Sequence, residues 1–264
     1  MSEERITSRE NAGVKLFRQL SGSHKKRRES GLFAAEGLRL CEEAVRCGIS
    51  VRRLFVTAEA QRRCADAVVR LGEACGGVCR ISDELGAFMG DTPGTQGVFL
   101  IGEIPVQPAF LPRPDGRCLL LENLQDPGNL GTIIRCADAF GVDAVLLSAS
   151  CPDLYAPKVL RASMGSVFRQ KAYRFADLRD AVAQLDAAGV QTYAATLEKT
   201  SVSVQTLSGR TGFAAAVGNE GAGLTAALIK TCAGSVHIPM RGKTESLNAA
   251  AAAAILIWEL FGRG

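Results

Sequence analysis

The sequence predicts an α/β protein of two domains, the second built on a mainly parallel sheet. Short apolar runs bounded by turn residues alternate with segments of helical periodicity, the pattern of strands joined by helices. Four prolines fall between Glu103 and Gly116, in a stretch without apolar periodicity, which marks a linker over 103–116. The chain has 264 residues, enough for one large domain or two ordinary ones, and is 47% hydrophobic with mixed charge, as folded chains are.

The first domain is expected over 1–102. Apolar residues at helical spacing (Val14, Leu16, Phe17, Leu20) predict a helix over Asn11–Leu20. A basic loop follows, then an apolar run at Leu32–Ala35. Glu36-Gly37 opens a helix over Leu38–Cys47. Val51–Val56 reads as a strand, Glu59–Leu71 as one helix, and Val98–Ile101 as a buried strand that closes the domain.

The second domain is expected over 117–264. Strands are expected at Cys118–Glu122, Val142–Leu147, Thr192–Ala195, Phe213–Val217 and Val236–Ile238. Helices are expected over Leu130–Phe140, Pro157–Met164, Phe175–Ala188 and about Ser246–Phe261.

Composition excludes several classes. The apolar stretch Ala249–Leu256 has eight residues of mostly alanine, well short of the roughly 20 a membrane helix needs. The polar start MSEERITSRENAG is not a signal peptide, and a cytoplasmic protein is expected. Nine cysteines, an odd count without a C-x-x-C, with Cys41, Cys118 and Cys136 inside apolar runs, read as buried thiols. Two histidines without clustered ligand spacing leave no metal site expected. Residues 1–28 hold eight lysines and arginines against three glutamates, a balance of +5. Lys25, Lys26, Arg27 and Arg28 are its centre. They read either as a solvated loop or as a contact to a phosphate backbone.

Three stretches of the second half carry chemistry. In Glu122-NLQDPGNLGTIIR-Cys136 a strand ends, the chain turns at Asp126-Pro127-Gly128, and Asn129 is placed to cap a helix. Arg135, among Ile133, Ile134 and Ala137, needs an anionic partner or an open cleft. In Val217-GNEGAGL a glycine loop follows a strand, where open parallel sheets bind ligands. It lacks the G-x-G-x-x-G order of a dinucleotide site and the Gly-Lys-Ser/Thr of a phosphate loop. Glu220 would also repel a phosphate. In His237-IPMRGKTESLN-Ala249, Ser246 or Thr244 is expected to cap the last helix, with Asn248 in its first turn.

In this order and spacing the three stretches resemble the signature motifs of the SpoU (TrmH) branch of the SPOUT RNA methyltransferases. The likeness covers the second half. More loosely, the first hundred residues resemble the L30e-like RNA-binding domain often fused to it. The resemblance implies methyl transfer from S-adenosyl-L-methionine to a ribose 2′-hydroxyl and a deep trefoil knot in the second domain. It implies a homodimer whose active site is completed across the interface. It places the donor on Gly218, Asn219, Ile238, Met240, Leu247 and Ala249, with Thr196 beside them. It assigns the polar site to Asn129, Arg135, Glu220, Ser246 and Asn248.

Arg135 is expected to donate to the attacking oxygen or to an RNA phosphate, because a guanidinium is a poor base. Asn129, Ser246 and Asn248 would orient it and the ribose. Glu220 would either orient Arg135 or pin its own loop. The expected substrate is 23S ribosomal RNA. A tRNA or antibiotic-resistance enzyme of the same family, a non-catalytic RNA-binding protein and a nucleotide-dependent oxidoreductase are the alternatives.

Overall fold

The structure, a computed structural model, describes residues 2–91, 94–198, 200–207, 211–242 and 246–262. It divides into two compact units, residues 1–106 with 153–168, and residues 107–152 with 169–264.

The first unit holds a five-stranded sheet of β1 (Ser2–Ile6), β2 (Leu32–Glu36), β3 (Val51–Thr57), β4 (Gly77–Ile81) and β5 (Val98–Glu103), in the order β1-β4-β3-β5-β2. β4 runs parallel to β1 and β3, while β5 runs antiparallel to β3 and β2. Its helices are α1 (Ala12–Gly22), α2 (His24–Ser30), α3 (Leu38–Arg46), α4 (Ala58–Arg63), α5 (Ala65–Ala74) and α6 (Asp83–Met89). The apolar stripe of α1 buries Val14, Phe17 and Leu20, and the Phe17 ring meets Phe99 edge-on with centroids 5.3 Å apart.

Several expectations change here. The basic run is a helix, not a loop: Ser23 caps α2 by accepting from the Lys26 amide, and Gly31 ends it in the left-handed region at φ +66°. The single helix expected over Glu59–Leu71 breaks at Cys64 into α4 and α5. β1, β4 and α6 were not expected. β1 is a polar pentapeptide, SEERI, with no apolar alternation to announce it.

The second unit holds β6 (Arg117–Leu121), β7 (Ala144–Ser148), β8 (Ala172–Phe175), β9 (Gln191–Ala195), β10 (Val202–Ser203), β11 (Phe213–Val217) and β12 (Gly234–His237). Their order is β10-β12-β9-β11-β6-β7-β8, and every neighbouring pair is parallel. β7 and β11 are buried along their whole length, which is why they read as unbroken apolar runs. The helices of this part of the chain are α7 (Pro127–Ala139), α8 (Pro157–Ser163), α9 (Leu178–Ala187), α10 (Ala226–Thr231) and α11 (Ala249–Ile257). α8 lies in the segment 153–168 that belongs to the first unit, where Phe33 packs against Tyr155 and Phe168.

From β6 the sheet grows one way through β7 and β8, then resumes with β9 on the far side of β11. Such a reversal opens a crevice at the carboxyl ends of the strands. No helix among the described residues is long and apolar enough to cross a membrane. All nine cysteines are free thiols, and burial pushes Cys118 up to about 12 and Cys75 up to about 11.

Candidate active site

A cavity of about 550 Å³ opens at the carboxyl ends of β9, β11 and β12. Thr196, Gly218, Asn219, Ile238, Met240, Leu247 and Ala249 all line it, and so do Glu220 and Ser246. The charged side chains in its wall, among the described residues, are Glu198 and Glu220; no lysine or arginine lines it. Thr196 Oγ1 is buried with no hydrogen-bond partner among the described residues. A buried hydroxyl left so is costly unless a ligand completes it.

The loop after β11 folds back on itself. Asn219 and Gly223 exchange both main-chain hydrogen bonds at 3.0 Å, while Asn219 Oδ1 accepts from the amides of Gly221 and Ala222 at 2.8 and 2.9 Å. A Cβ on Gly218 would lie 2.2 Å from the carbonyl carbon of Gly223, and Gly223 itself sits at φ +68°. These two glycines are therefore required by the closure of the loop itself.

Asn219 also ties this loop to the first motif, donating from Nδ2 to the Asn123 carbonyl at 2.8 Å. Asn123 is left-handed, at φ +55°. Ser148 holds it there: its Oγ accepts from the Asn123 amide at 2.9 Å and donates to Asn123 Oδ1 at 3.1 Å. Just after β6 the buried Glu122 carboxylate accepts from the amide and hydroxyl of Thr225, at 2.7 and 2.8 Å. Neither Asn123 nor Glu122 stood out in the sequence, though an acid and an Asx residue ending a buried strand were available signals.

Glu220 occupies the centre of the polar group. It accepts from the amides of Gln125 and Asp126 at 3.2 and 3.4 Å and from Asn129 Nδ2 at 2.8 Å. Asn129 Oδ1 in turn accepts from Asn248 Nδ2 at 3.1 Å. Partial desolvation acts to raise the Glu220 pKa, but the bonds from Asn129 and the main-chain amides outweigh it and lower the pKa overall.

Two caps differ from expectation. Asp126, not Asn129, caps α7, accepting from the amides of Gly128 and Asn129 with Pro127 at the first helical position. This leaves the Asn129 side chain free to bridge Glu220 and Asn248. Asn248, not Ser246, caps α11 through the amides of Ala250 and Ala251, so that helix begins at Ala249. Thr244, the other expected cap, lies outside the described residues.

Arg135 is exposed on α7, makes no hydrogen bond or ion pair among the described residues, and does not line the cavity. His237 and Glu198 line the cavity and were not singled out; the His237 ring is held at 3.0 Å from Ser201 Oγ.

In the first unit Lys25 and Arg28 are exposed and Lys26 is half-buried. Arg27 is a correction to the expected phosphate contact. Its residue is 4% exposed, and it donates to Asp153 Oδ2 at 2.5 Å and to the carbonyls of Leu20 and Ser21. The helical period of α2 turns this one cation of the run inward.

Comparison with known proteins agrees with this geometry. Residues 116–258 match the model of the SpoU rRNA Methylase family, and residues 11–100 that of an MRM3-like substrate binding domain. The chain is 34% identical to the 23S rRNA (guanosine(2553)-2′-O)-methyltransferase RlmP of Bacillus subtilis, over 98% of this chain and 100% of the relative. It is 32% identical to a 23S rRNA (uridine(2479)-2′-O)-methyltransferase of Streptomyces viridochromogenes, over 97% and 91%. The crystal structure of an AdoMet-bound rRNA methyltransferase from Sinorhizobium meliloti superposes with a TM-score of 0.85 at 33% identity, covering 97% of this chain and 96% of that one.

Fold, cavity and these likenesses define an S-adenosylmethionine-dependent RNA methyltransferase. The chain belongs to the SpoU rRNA methylase family.

Proposed function

We propose that the chain methylates a ribose 2′-hydroxyl of 23S ribosomal RNA and that the 550 Å³ cavity holds the methyl donor. The observation that carries this reading is the wall of the cavity. It has two carboxylates and no cation among the described residues, which suits a sulfonium and opposes the phosphates of a dinucleotide. The orphaned Thr196 hydroxyl and the main chain around Gly218, Ile238 and Leu247 supply polar partners for the rest of the donor. When bound, S-adenosylmethionine supplies an electrophilic methyl group with a neutral thioether as leaving group.

The chain's own residues then have separable tasks. Glu220 pins the first-motif turn by its amides and aligns Asn129, and Asn129 aligns Asn248. Ser246 lies in the cavity wall and is assigned to orient the ribose. Among the described residues no cation lines the wall, while Arg135 stands exposed with no hydrogen bond or ion pair. We therefore assign the active form to a homodimer in which the partner's Arg135 faces this cavity and donates to the attacking oxygen or to an adjacent phosphate. The first unit receives the RNA, and the deep knot and a cytoplasmic location belong to the same reading.

The test is transfer of labelled methyl from S-adenosylmethionine to purified 23S rRNA, 16S rRNA and tRNA, with the product mapped by nuclease digestion and mass spectrometry. A 2′-O-methyl nucleotide in 23S rRNA is expected. Base methylation, or label in tRNA alone, would overturn the assignment. Mixing the weakened Arg135→Ala and Glu220→Ala chains tests the dimer: activity should rise above that of either variant alone, and a mixture no more active than its parts removes the shared site.

A further inference from the structure

Arg27 is withdrawn from the basic run by burial, which leaves Lys25 and Arg28 exposed and Lys26 half-buried. Outside the cavity, one cluster in the first unit stands out. The Arg9 guanidinium lies 4.6 Å from the centroid of the Phe88 ring, and that of Arg18 lies 5.2 Å from it. Both arginines are exposed, and neither has a hydrogen bond or ion pair among the described residues. Phe88 is half-buried, resting on the core of the unit. Arg18 also borders a groove of about 410 Å³ whose other walls include Gln19, Ser23, Lys25, Lys26 and Glu29. Lys25 reaches Glu29 at 3.8 Å, whereas Lys26 has no ion pair among the described residues.

We propose that Phe88 with Arg9 and Arg18, continued by the groove beside Lys25 and Lys26, is the surface on which the first unit takes unpaired nucleotides of the RNA. This rests on the reading that the chain is an RNA methyltransferase whose first unit receives substrate. Two guanidiniums converging on one ring repel each other, and no carboxylate among the described residues pairs with either. A polyanion relieves that repulsion. Aromatic rings and guanidinium planes are the groups on which unstacked bases stack, and here they stand together beside a cationic groove that can track a backbone. A paired helix would use the charges but offer the ring no base face.

The test uses the full-length chain with an oligouridine and a hairpin duplex as probes, titrated at several salt concentrations. For Arg9→Gln/Arg18→Gln, the slope of log affinity against log salt on oligouridine should fall by about 1.4, two phosphate contacts at roughly 0.7 each. For Phe88→Leu, affinity for oligouridine should fall about tenfold at an unchanged slope, with a smaller loss on the duplex. Phe88→Tyr, which keeps the ring, should restore it, separating stacking from a packing defect, and thermal unfolding reports the fold of each variant. If wild type binds and methylates RNA while the arginine variant keeps the wild-type slope, the surface is wrong and the activity stands. If the arginine variant loses slope but Phe88→Leu changes nothing, the patch is only a polyanion attractor and the proposal for unpaired bases is overturned. A wild-type chain that neither binds nor methylates RNA removes the parent reading and this one together.

Discussion

Asp153 in the first unit and Glu220 in the second are acids whose purpose the sequence does not show, and their surroundings give them opposite tasks. Asp153 is mostly buried, and its partner is the buried guanidinium of Arg27. Glu220 is exposed, and its partners are two main-chain amides and one asparagine. A buried ion pair is costly to break because the surviving charge stays desolvated. An exposed carboxylate on amides adds little to global stability but fixes where a loop stands. The first acid therefore holds the segment 153–168 within its unit, and the second holds a site. Mutations should separate stability from turnover along that line.

The largest stability effect is expected at Arg27. Arg27→Ala should destabilise the first unit by about 3–5 kcal/mol, read as loss of its transition in thermal or urea unfolding. Arg27→Met with Asp153→Leu should recover most of the loss, because an apolar pair of similar volume avoids desolvation. If the double variant is as unstable as the single one, the pair is not an isolated charge bridge. Glu220→Ala should do the reverse. Methyl transfer should fall about tenfold to a hundredfold, from losing hydrogen bonds to a charged acceptor, while the unfolding midpoint stays within a few degrees of wild type. A large drop in the midpoint would make Glu220 a stability residue instead.

The same contrast explains what the sequence could and could not reveal. β6, β7 and β11 were legible because strands buried on both faces carry continuous apolar runs. β1 and β4 were not, since SEERI is polar and GVCRI is only half-buried. The cofactor candidates around the cavity were named through family motifs, and spacing alone would not have placed them there. At α7 the expected cap Asn129 gives way to Asp126, to which Pro127 at the first helical position points, and at α11 the expected cap Ser246 gives way to Asn248. Arg27 could not be separated from Lys25, Lys26 and Arg28, because its partner lies 126 residues away in the chain. Loop closure at Gly218 is likewise invisible locally, since the space its missing side chain leaves is filled by Gly223 and Leu224.

A smaller effect is expected at Thr196. Its hydroxyl is buried and unpartnered among the described residues, so Thr196→Val should leave the free protein as stable or slightly more so. S-adenosylmethionine affinity, measured by calorimetry, should fall about three- to tenfold, the worth of one neutral hydrogen bond. Unchanged affinity would mean that the hydroxyl does not meet the donor.

The smallest effect is the pH response of the loop clamp, and its sign is fixed by the direction of the Glu220 shift. Hydrogen bonds from Asn129 and the turn amides hold its folded pKa below the ordinary carboxylate value, although desolvation opposes them. The clamp is therefore fully present above the unfolded value and is lost as pH falls through the folded one. Donor affinity should be flat through neutral pH and weaken only in the acid range, below the usual glutamate pKa of about 4.3. Glu220→Gln cannot titrate there, so it should show lower affinity throughout and no further acid-side loss at this step. If its acid limb matches wild type, a group other than Glu220 governs the response.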